Sequence, residues 1–121
     1  NRQLGLAYAW MRDKKDELKQ RIFHEEMAVL LNSEGRIEGV SDKVVECLEQ
    51  SRDGLIGRKM LDLIREGFRE DFSWELRQAW MGMAQDIPIG FADVKRCAGI
   101  FEAKLTRLTL SGVRLVLMTM R

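Results

Sequence analysis

The sequence predicts an α+β fold, a five-stranded antiparallel sheet with short helices on one face, preceded by a long N-terminal helix. Three observations predict it. Two short apolar runs, Met27–Leu31 and residues 36–40, flank the turn sequence Asn-Ser-Glu-Gly. Several segments with helical spacing follow, and the last third of the chain then alternates between apolar and polar residues. Finally, neither Pro nor Gly interrupts residues 6–27, which favours a helix there.

Two short helices are predicted after the hairpin, because two serines stand where helices should begin. Ser41 and Asp42 offer side-chain oxygens to the unpaired amides of a helix start. Val44, Val45 and Leu48 then recur at helical spacing, with Cys47 beside them. A second start at residues 51–53 leads to a turn that Gly57 is placed to stop, and residues 60–64 form a further short apolar turn.

A longer helix is predicted after a polar loop at residues 65–67. Glu70 and Asp71 mark its start, since negative charge there complements the helix dipole, and residues 86–88 end it before Pro88. Trp74 and Trp80 are six residues apart, so they cannot share one helix face and one of them is expected at a surface. The apolar face consists of Phe72, Leu76, Ala79, Trp80 and Met83.

The last third of the chain predicts three strands joined by short turns. The first is residues 91–96, followed by a turn at residues 97–99. Ile100–Leu110 alternates clearly, Ser111 and Gly112 turn the chain, and Val113–Met120 closes the sheet. Short connections of this kind favour an antiparallel meander.

This order of elements resembles a PAS domain over residues 27–120. The resemblance is carried by an apolar strand, the sequence Asn-Ser-Glu-Gly-Arg-Ile at residues 32–37, a polar helix cap, and residues 51–58 leading to 61–64. It implies a sensory or dimerisation module of a larger signal-transduction protein. The effector that it implies is a histidine kinase of a two-component system, with a diguanylate cyclase or a transcription regulator as the other choices.

PAS domains usually enclose a pocket between the sheet and its short helices, so a ligand pocket is also implied. Flavin would need an Asn-Cys-Arg-Phe-type motif and haem an axial His on the long helix; neither motif is present, and no cofactor is expected. The alternatives left open are a core pocket occupied by a small molecule and a filled core. The candidate pocket lining consists of Met60, Ile64, Leu76, Trp80, Met83, Leu105 and Met118.

The chain therefore divides into an N-terminal helix, residues 1–26, and the PAS-like domain, residues 27–121. The helix carries a partial heptad pattern, which favours a homodimer joined along it; packing on its own domain is the alternative. Met27–Leu31 is apolar on both faces, so the helix or a partner chain should also cover the outer face of the sheet around Val29. The candidate dimer residues are Leu4, Tyr8, Met11, Leu18 and Ile22.

Composition narrows the remaining function classes. The net charge of +1 recruits neither nucleic acid nor an anionic membrane. His24, the only histidine, has no visible catalytic partners, so the chain is not expected to be an enzyme. Cys47 and Cys97 are expected to be free thiols in a reducing compartment, which predicts a cytoplasmic domain. A membrane helix ending near Trp10, anchoring the parent protein in the inner membrane, is an equal alternative to an amphipathic helix.

Overall fold

The computed structural model describes residues 26–121, in which five antiparallel strands form one sheet in the order β2-β1-β5-β4-β3. The predicted fold class is confirmed for these residues. The N-terminal helix, its candidate dimer residues and most of the predicted first domain lie outside them. In chain order the elements are β1 (Met27–Leu31), β2 (Ile37–Val40), α1 (Asp42–Leu48), α2 (Arg52–Leu55), a 3-10 helix (Met60–Leu63), α3 (Glu66–Trp80), β3 (Ile87–Gly90), β4 (Ile100–Leu110) and β5 (Val113–Met120).

The inner face of the sheet packs against the helices and forms the main core. Val29 and Leu31 of β1 lie opposite Met118 and Val116 of β5, and all four side chains belong to this core. Their neighbours point the other way, because successive side chains of a strand alternate between faces. The expectation that Val29 lies on the outer face is therefore wrong.

The outer face of the sheet carries a second apolar cluster. It is centred on Leu30 and Leu115, both fully buried, with Leu108, Leu110, Val113 and Leu117 packed around them. The prediction that β1 is apolar on both faces is thus confirmed, with Leu30 as the outward residue.

Both predicted helix caps are present. Ser41 Oγ accepts a hydrogen bond from Val44 N at 3.4 Å, and Ser51 Oγ accepts one from Gly54 N at 3.1 Å. Ser41 also joins α1 to the sheet, since its Oγ accepts from Ala28 N at 2.9 Å and its own amide donates to Ala28 O at 2.8 Å. The first cap is therefore a link between helix and strand as well as a helix start.

The boundaries of the long helix differ from the prediction. The loop predicted at residues 65–67 is confirmed only for Arg65, since α3 begins at Glu66, four residues before Glu70. Gly67 weakens a helix by only about 1 kcal/mol, and Phe68 and Phe72, one turn apart, pack on the core from this face. The helix ends at Trp80 rather than at 86–88, because Gly82 adopts a left-handed backbone with a φ of 75°.

The third strand also lies elsewhere. The predicted strand at residues 91–96 is wrong, and β3 is Ile87–Gly90. Ile87 and Ile89 point into the core, while Pro88 is tolerated because β3 is an edge strand. Asp93, with a φ of 54°, interrupts any extended run after Phe91. The irregular residues 91–99, which join β3 to β4, are called the β3–β4 segment below.

The two cysteines form a disulfide, so the expectation of free thiols is wrong. Cys47 near the end of α1 is bonded to Cys97 of the β3–β4 segment, with a Cα–Cα distance of 5.4 Å. The partners are 50 residues apart in the chain, and only the fold brings them together. As to membranes, the helices found between residues 26 and 121 are all too short or too polar to span one.

Candidate functional site

The interior between the sheet and the helices brings together six of the seven candidate pocket residues. Met60, Ile64 and Met118 are fully buried in the main core, and Leu105 is nearly so. Leu76 and Trp80 on α3 are partly buried and pack against the same core. Met83 does not join them, since it lies beyond the end of α3 with 59% of its surface exposed. Trp74 is also exposed, as one of the two α3 tryptophans was predicted to be.

A groove also lies on the surface of residues 26–121, at the end of the sheet where β1 begins and β5 ends. Its volume is about 610 Å³, and its charged lining residues balance, with three carboxylates and three cations. Such a lining favours a polar contact without selecting an anion or a cation. The lining residues are Glu26, Met27, Lys43, Asp86, Glu102, Lys104, Thr119, Met120 and Arg121.

At this end of the sheet β1 and β5, the first and last strands in chain order, are direct neighbours. Met27 lies opposite Met120 in the antiparallel β1–β5 pair. Arg121 continues the pairing on the other side, where its amide donates to Glu102 O at 3.1 Å and its carbonyl accepts from Glu102 N at 2.9 Å. Met27 at the start of β1 and Arg121 after the end of β5 are thus held at the same end of the sheet by main-chain pairing.

A buried polar pair closes the β1–β2 hairpin. Asn32 Oδ1 accepts from Glu34 N at 2.9 Å and from Arg36 N at 3.0 Å, while its Nδ2 donates to Glu38 Oε1 at 3.0 Å. Glu38 is 2% exposed, and its second oxygen has no hydrogen-bond partner among residues 26–121. Burial raises the pKa of the Glu38 carboxyl, and the hydrogen bond from Asn32 opposes that rise.

Arg65, immediately before α3, anchors the β3–β4 segment at both ends. Its backbone amide donates to Gly90 O at 2.7 Å. Its guanidinium donates to Phe91 O at 3.3 Å and to Ala98 O at 2.6 Å, so one side chain spans the segment. Elsewhere, residues 26–121 contain no group of three or more His, Cys, Asp or Glu side chains arranged to hold a metal ion.

No family model and no curated protein sequence matches this chain, but solved structures match it closely in shape. The PAS domain of an HTR-like protein from Haloarcula marismortui superposes with a TM-score of 0.72 at 17% identity, covering 90% of this chain and 92% of that one. A PAS domain from Colwellia psychrerythraea gives 0.67 at 20% identity, covering 88% and 96%. A PAS domain from a two-component sensor histidine kinase gives 0.62 at 17% identity, covering 79% and 83%.

The chain has the PAS fold. The predicted resemblance is therefore confirmed at the level of fold, and it includes the hairpin, the helical segments and the three-stranded meander.

Sequence reasoning missed three features of this PAS fold: the disulfide, the two-ended contacts of Arg65 and the burial of Glu38. An even number of cysteines was a signal for the first, but it does not say which distant segments meet. Glu38 stands between Ile37 and Gly39 in a strand whose residues are all buried, and β2 contains a bulge opposite Leu30 and Leu31. A bulge breaks the alternation on which a sequence-based assignment of faces depends.

Proposed function

We propose that this chain is a sensory and dimerisation PAS module of a larger signal-transduction protein. It relays a ligand-induced or upstream conformational change to a C-terminal effector domain in the same polypeptide, a histidine kinase in this proposal. One of the similar structures is a PAS domain from a two-component sensor histidine kinase, which supports this choice of effector. The module itself is non-catalytic, and the parent protein is a cytoplasmic or membrane-anchored sensor.

The observation that carries the proposal is the pairing of β1 with β5 in the middle of the sheet. Five consecutive residue pairs, from Met27 opposite Met120 to Leu31 opposite Val116, join the two strands. Strands paired over this length move together, because a shift of one breaks the shared hydrogen bonds or displaces the other. A displacement arriving before Met27 therefore reaches Arg121 without crossing the core.

The dimer in this proposal forms along the N-terminal helix. The residues that carry it are Leu4, Tyr8, Met11, Leu18 and Ile22, spaced for one face of a helix. The same helix covers the outer face of the sheet, where Leu30 and Leu115 form an apolar cluster beside β1 and β5. A change in the packing of this helix then acts on both β1 and β5.

The second candidate function is a ligand-binding PAS module with a small molecule in the core. The observation that favours it is the pair of fully buried methionines, Met60 and Met118, on the two sides of the interior. Methionine side chains adapt to cavities of different shape at low cost, so a core lined by them can open for an apolar guest. The proposal commits to neither flavin nor haem.

One measurement on the freshly purified chain tests both functions. Native mass spectrometry reports the subunit number and any bound mass together. A dimer that becomes a monomer on Leu18→Lys, but not on Gln20→Lys, supports the dimerisation module, because only Leu18 belongs to the heptad series. If the unchanged chain is a monomer at a protein concentration of about 100 µM, the dimerisation module is contradicted, because a dimer with a micromolar Kd would be largely formed at that concentration. Additional bound mass supports the ligand-binding module.

A further inference from the structure

The Cys47–Cys97 disulfide joins a helix of the main core to an irregular segment at the surface. Cys47 is 3% exposed and belongs to the main core, on a helix that packs against β1. Cys97 is only partly buried, in the irregular β3–β4 segment. The bond therefore ties a surface segment to a helix next to the first strand of the sheet.

Other contacts hold the two ends of this segment without the disulfide. At its start, Ala92 N donates to Leu63 O at 2.9 Å. Near its end, Arg65 donates to Ala98 O at 2.6 Å. Most of the main core and all five strands are built from residues outside the disulfide and the segment, so breaking the bond leaves most of their contacts in place. Cys47 and Phe91 belong to the core and Val94 packs against it, and these contacts do not depend on the bond. The bond thus fixes the later part of the segment, at Cys97, onto the end of α1.

We propose that the Cys47–Cys97 pair is a redox-responsive latch, opened by a dithiol reductant and closed by a disulfide oxidant. In the closed state the β3–β4 segment is fastened to α1. In the open state the segment from Asp93 to Cys97 is free to move while the rest of the fold persists. Cys47 then remains in the core as a small apolar side chain, an environment in which free cysteine is common.

The surroundings of Cys97 determine which sulfur is attacked. Lys95 and Arg96 precede it and are exposed, so two positive charges attract an incoming thiolate. Cys47 is shielded by the core. The first thiolate of the reductant therefore attacks Cys97 Sγ, forming a mixed disulfide and releasing Cys47 as a thiolate that takes up a proton.

The second step completes the exchange. The reductant's other thiolate attacks its own sulfur in the mixed disulfide, releases Cys97 as a thiolate, and leaves the reductant as a cyclic disulfide. Two electrons and two protons pass from the dithiol to the cysteine pair. Closure is the reverse reaction with an oxidised dithiol. In a reducing compartment, disulfides in folded proteins are transient and usually catalytic or sensory, which is the behaviour expected of such a latch.

The disulfide is also connected to the β1–β5 pair that transmits the signal, an inference that rests on the proposed function. Ser41, the N-cap of α1, exchanges two hydrogen bonds with Ala28 in β1. Opening the disulfide at the end of α1 therefore shifts the helix, and the shift reaches its N-cap beside β1, the strand that receives the upstream signal. The redox reaction itself does not depend on that relay.

The test uses the full 121-residue chain and three redox states: as purified under air, reduced by dithiothreitol, and reoxidised by oxidised dithiothreitol. Thiol alkylation followed by mass spectrometry counts free cysteines, and hydrogen–deuterium exchange reports each segment. When the alkylation itself is carried out in denaturant, we expect no alkylated cysteine in the protein kept under air and two after reduction of the folded protein without denaturant. Exchange at residues 93–97 should rise at least tenfold on reduction and return on reoxidation, with residues 113–120 unchanged.

Three results would overturn the latch. They are two free thiols under air, a bond that dithiothreitol reduces only in denaturant, and loss of protection throughout the sheet on reduction. Cys97→Ala is the matched variant: it should show the open-state exchange pattern in all three redox states. Should it not fold, the wild-type alkylation and exchange results decide alone. The dimer and the relay can fail while this exchange pattern holds, so the two proposals are separated.

Discussion

Asn32 and Glu38 form a buried hydrogen-bonded pair, with Asn32 Nδ2 donating to Glu38 Oε1 at 3.0 Å. The pair closes the hairpin that leads from β1 to β2. Its two members have opposite effects on the fold. Asn32 makes two hydrogen bonds within the tight turn and a third to Glu38. Glu38 brings a carboxyl group into a site where, in the part of the chain that the structure describes, its second oxygen has no partner.

Glu38 should make the stability of the fold depend on pH. Burial raises its pKa above the value of 4.5 found in an unfolded chain, so the folded state binds the proton more tightly. The free energy of unfolding therefore falls as the pH rises from about 4.5 through the raised pKa. Glu38→Gln removes this titration while keeping an acceptor for Asn32.

We expect Glu38→Gln and the wild type to have similar stability below pH 4.5, the ordinary pKa of the group, and the variant to be the more stable at neutral pH. Urea unfolding followed by circular dichroism at several pH values measures the difference. Because the other carboxyl groups titrate equally in both proteins, their contributions cancel in the difference between the two free energies of unfolding. A difference that does not change with pH would contradict the assignment.

Asn32→Ala should destabilise the hairpin substantially. It removes both acceptor bonds to the backbone amides of Glu34 and Arg36 and the donor to Glu38. At about 1 kcal/mol for each bond, the free energy of unfolding should fall by about 2–3 kcal/mol. Ser33→Ala, at an exposed position in the same turn, is the control and should change it by less than about 0.5 kcal/mol. Equal effects of the two changes would refute the role of Asn32.

The two serine caps should differ in their contribution to stability. Ser41 caps α1 and also binds Ala28 from a fully buried position, so Ser41→Ala should cost about 2 kcal/mol. Ser51 caps the one-turn helix α2 from an exposed position, so Ser51→Ala should cost about 0.5–1 kcal/mol. Thermal and urea unfolding of the two variants and the wild type measures both losses of unfolding free energy. A larger loss for Ser51→Ala would argue against the link between α1 and β1.

Met118 and Met83 provide a matched test of the candidate pocket wall. Met118 is fully buried opposite Val29, whereas Met83 is exposed. Met118→Ala should cost about 2–5 kcal/mol through lost burial and a residual cavity, and Met83→Ala less than about 0.5 kcal/mol. If the interior accommodates small apolar molecules, the Met118→Ala variant should be stabilised by benzene and the Met83→Ala variant should not. An unchanged unfolding transition for Met118→Ala would exclude it from the core.

The parts of the fold that the sequence predicted are those in which local signals suffice. The turn at Asn32, the caps at Ser41 and Ser51, and the long alternation of β4 and β5 each depend on neighbouring residues. Their positions were right to within about one residue. The short apolar turn predicted at residues 60–64 is a 3-10 helix over Met60–Leu63.

The errors arose where distant contacts override local preference. Gly67 and the polar residues around it indicated a loop, but packing of Phe68 and Phe72 on the core keeps the residues helical. Pro88 indicated the end of the long helix, but it lies within β3, and an edge strand tolerates proline. In the candidate site, Met83 was assigned by extending the α3 periodicity past Gly82, whose left-handed backbone ends the helix. The disulfide between Cys47 and Cys97 had no local signal at all.

The central claim is that the N-terminal segment and the end of β5 are coupled through β1. Hydrogen–deuterium exchange of the full chain, with Leu18→Lys compared against the wild type and Gln20→Lys as control, tests it most directly. We expect faster exchange at residues 28–31 and 115–120 in the Leu18 variant only, with Ile87–Gly90 at the far edge of the sheet unchanged. Unchanged exchange at residues 115–120, or an equal increase in all five strands, would contradict it.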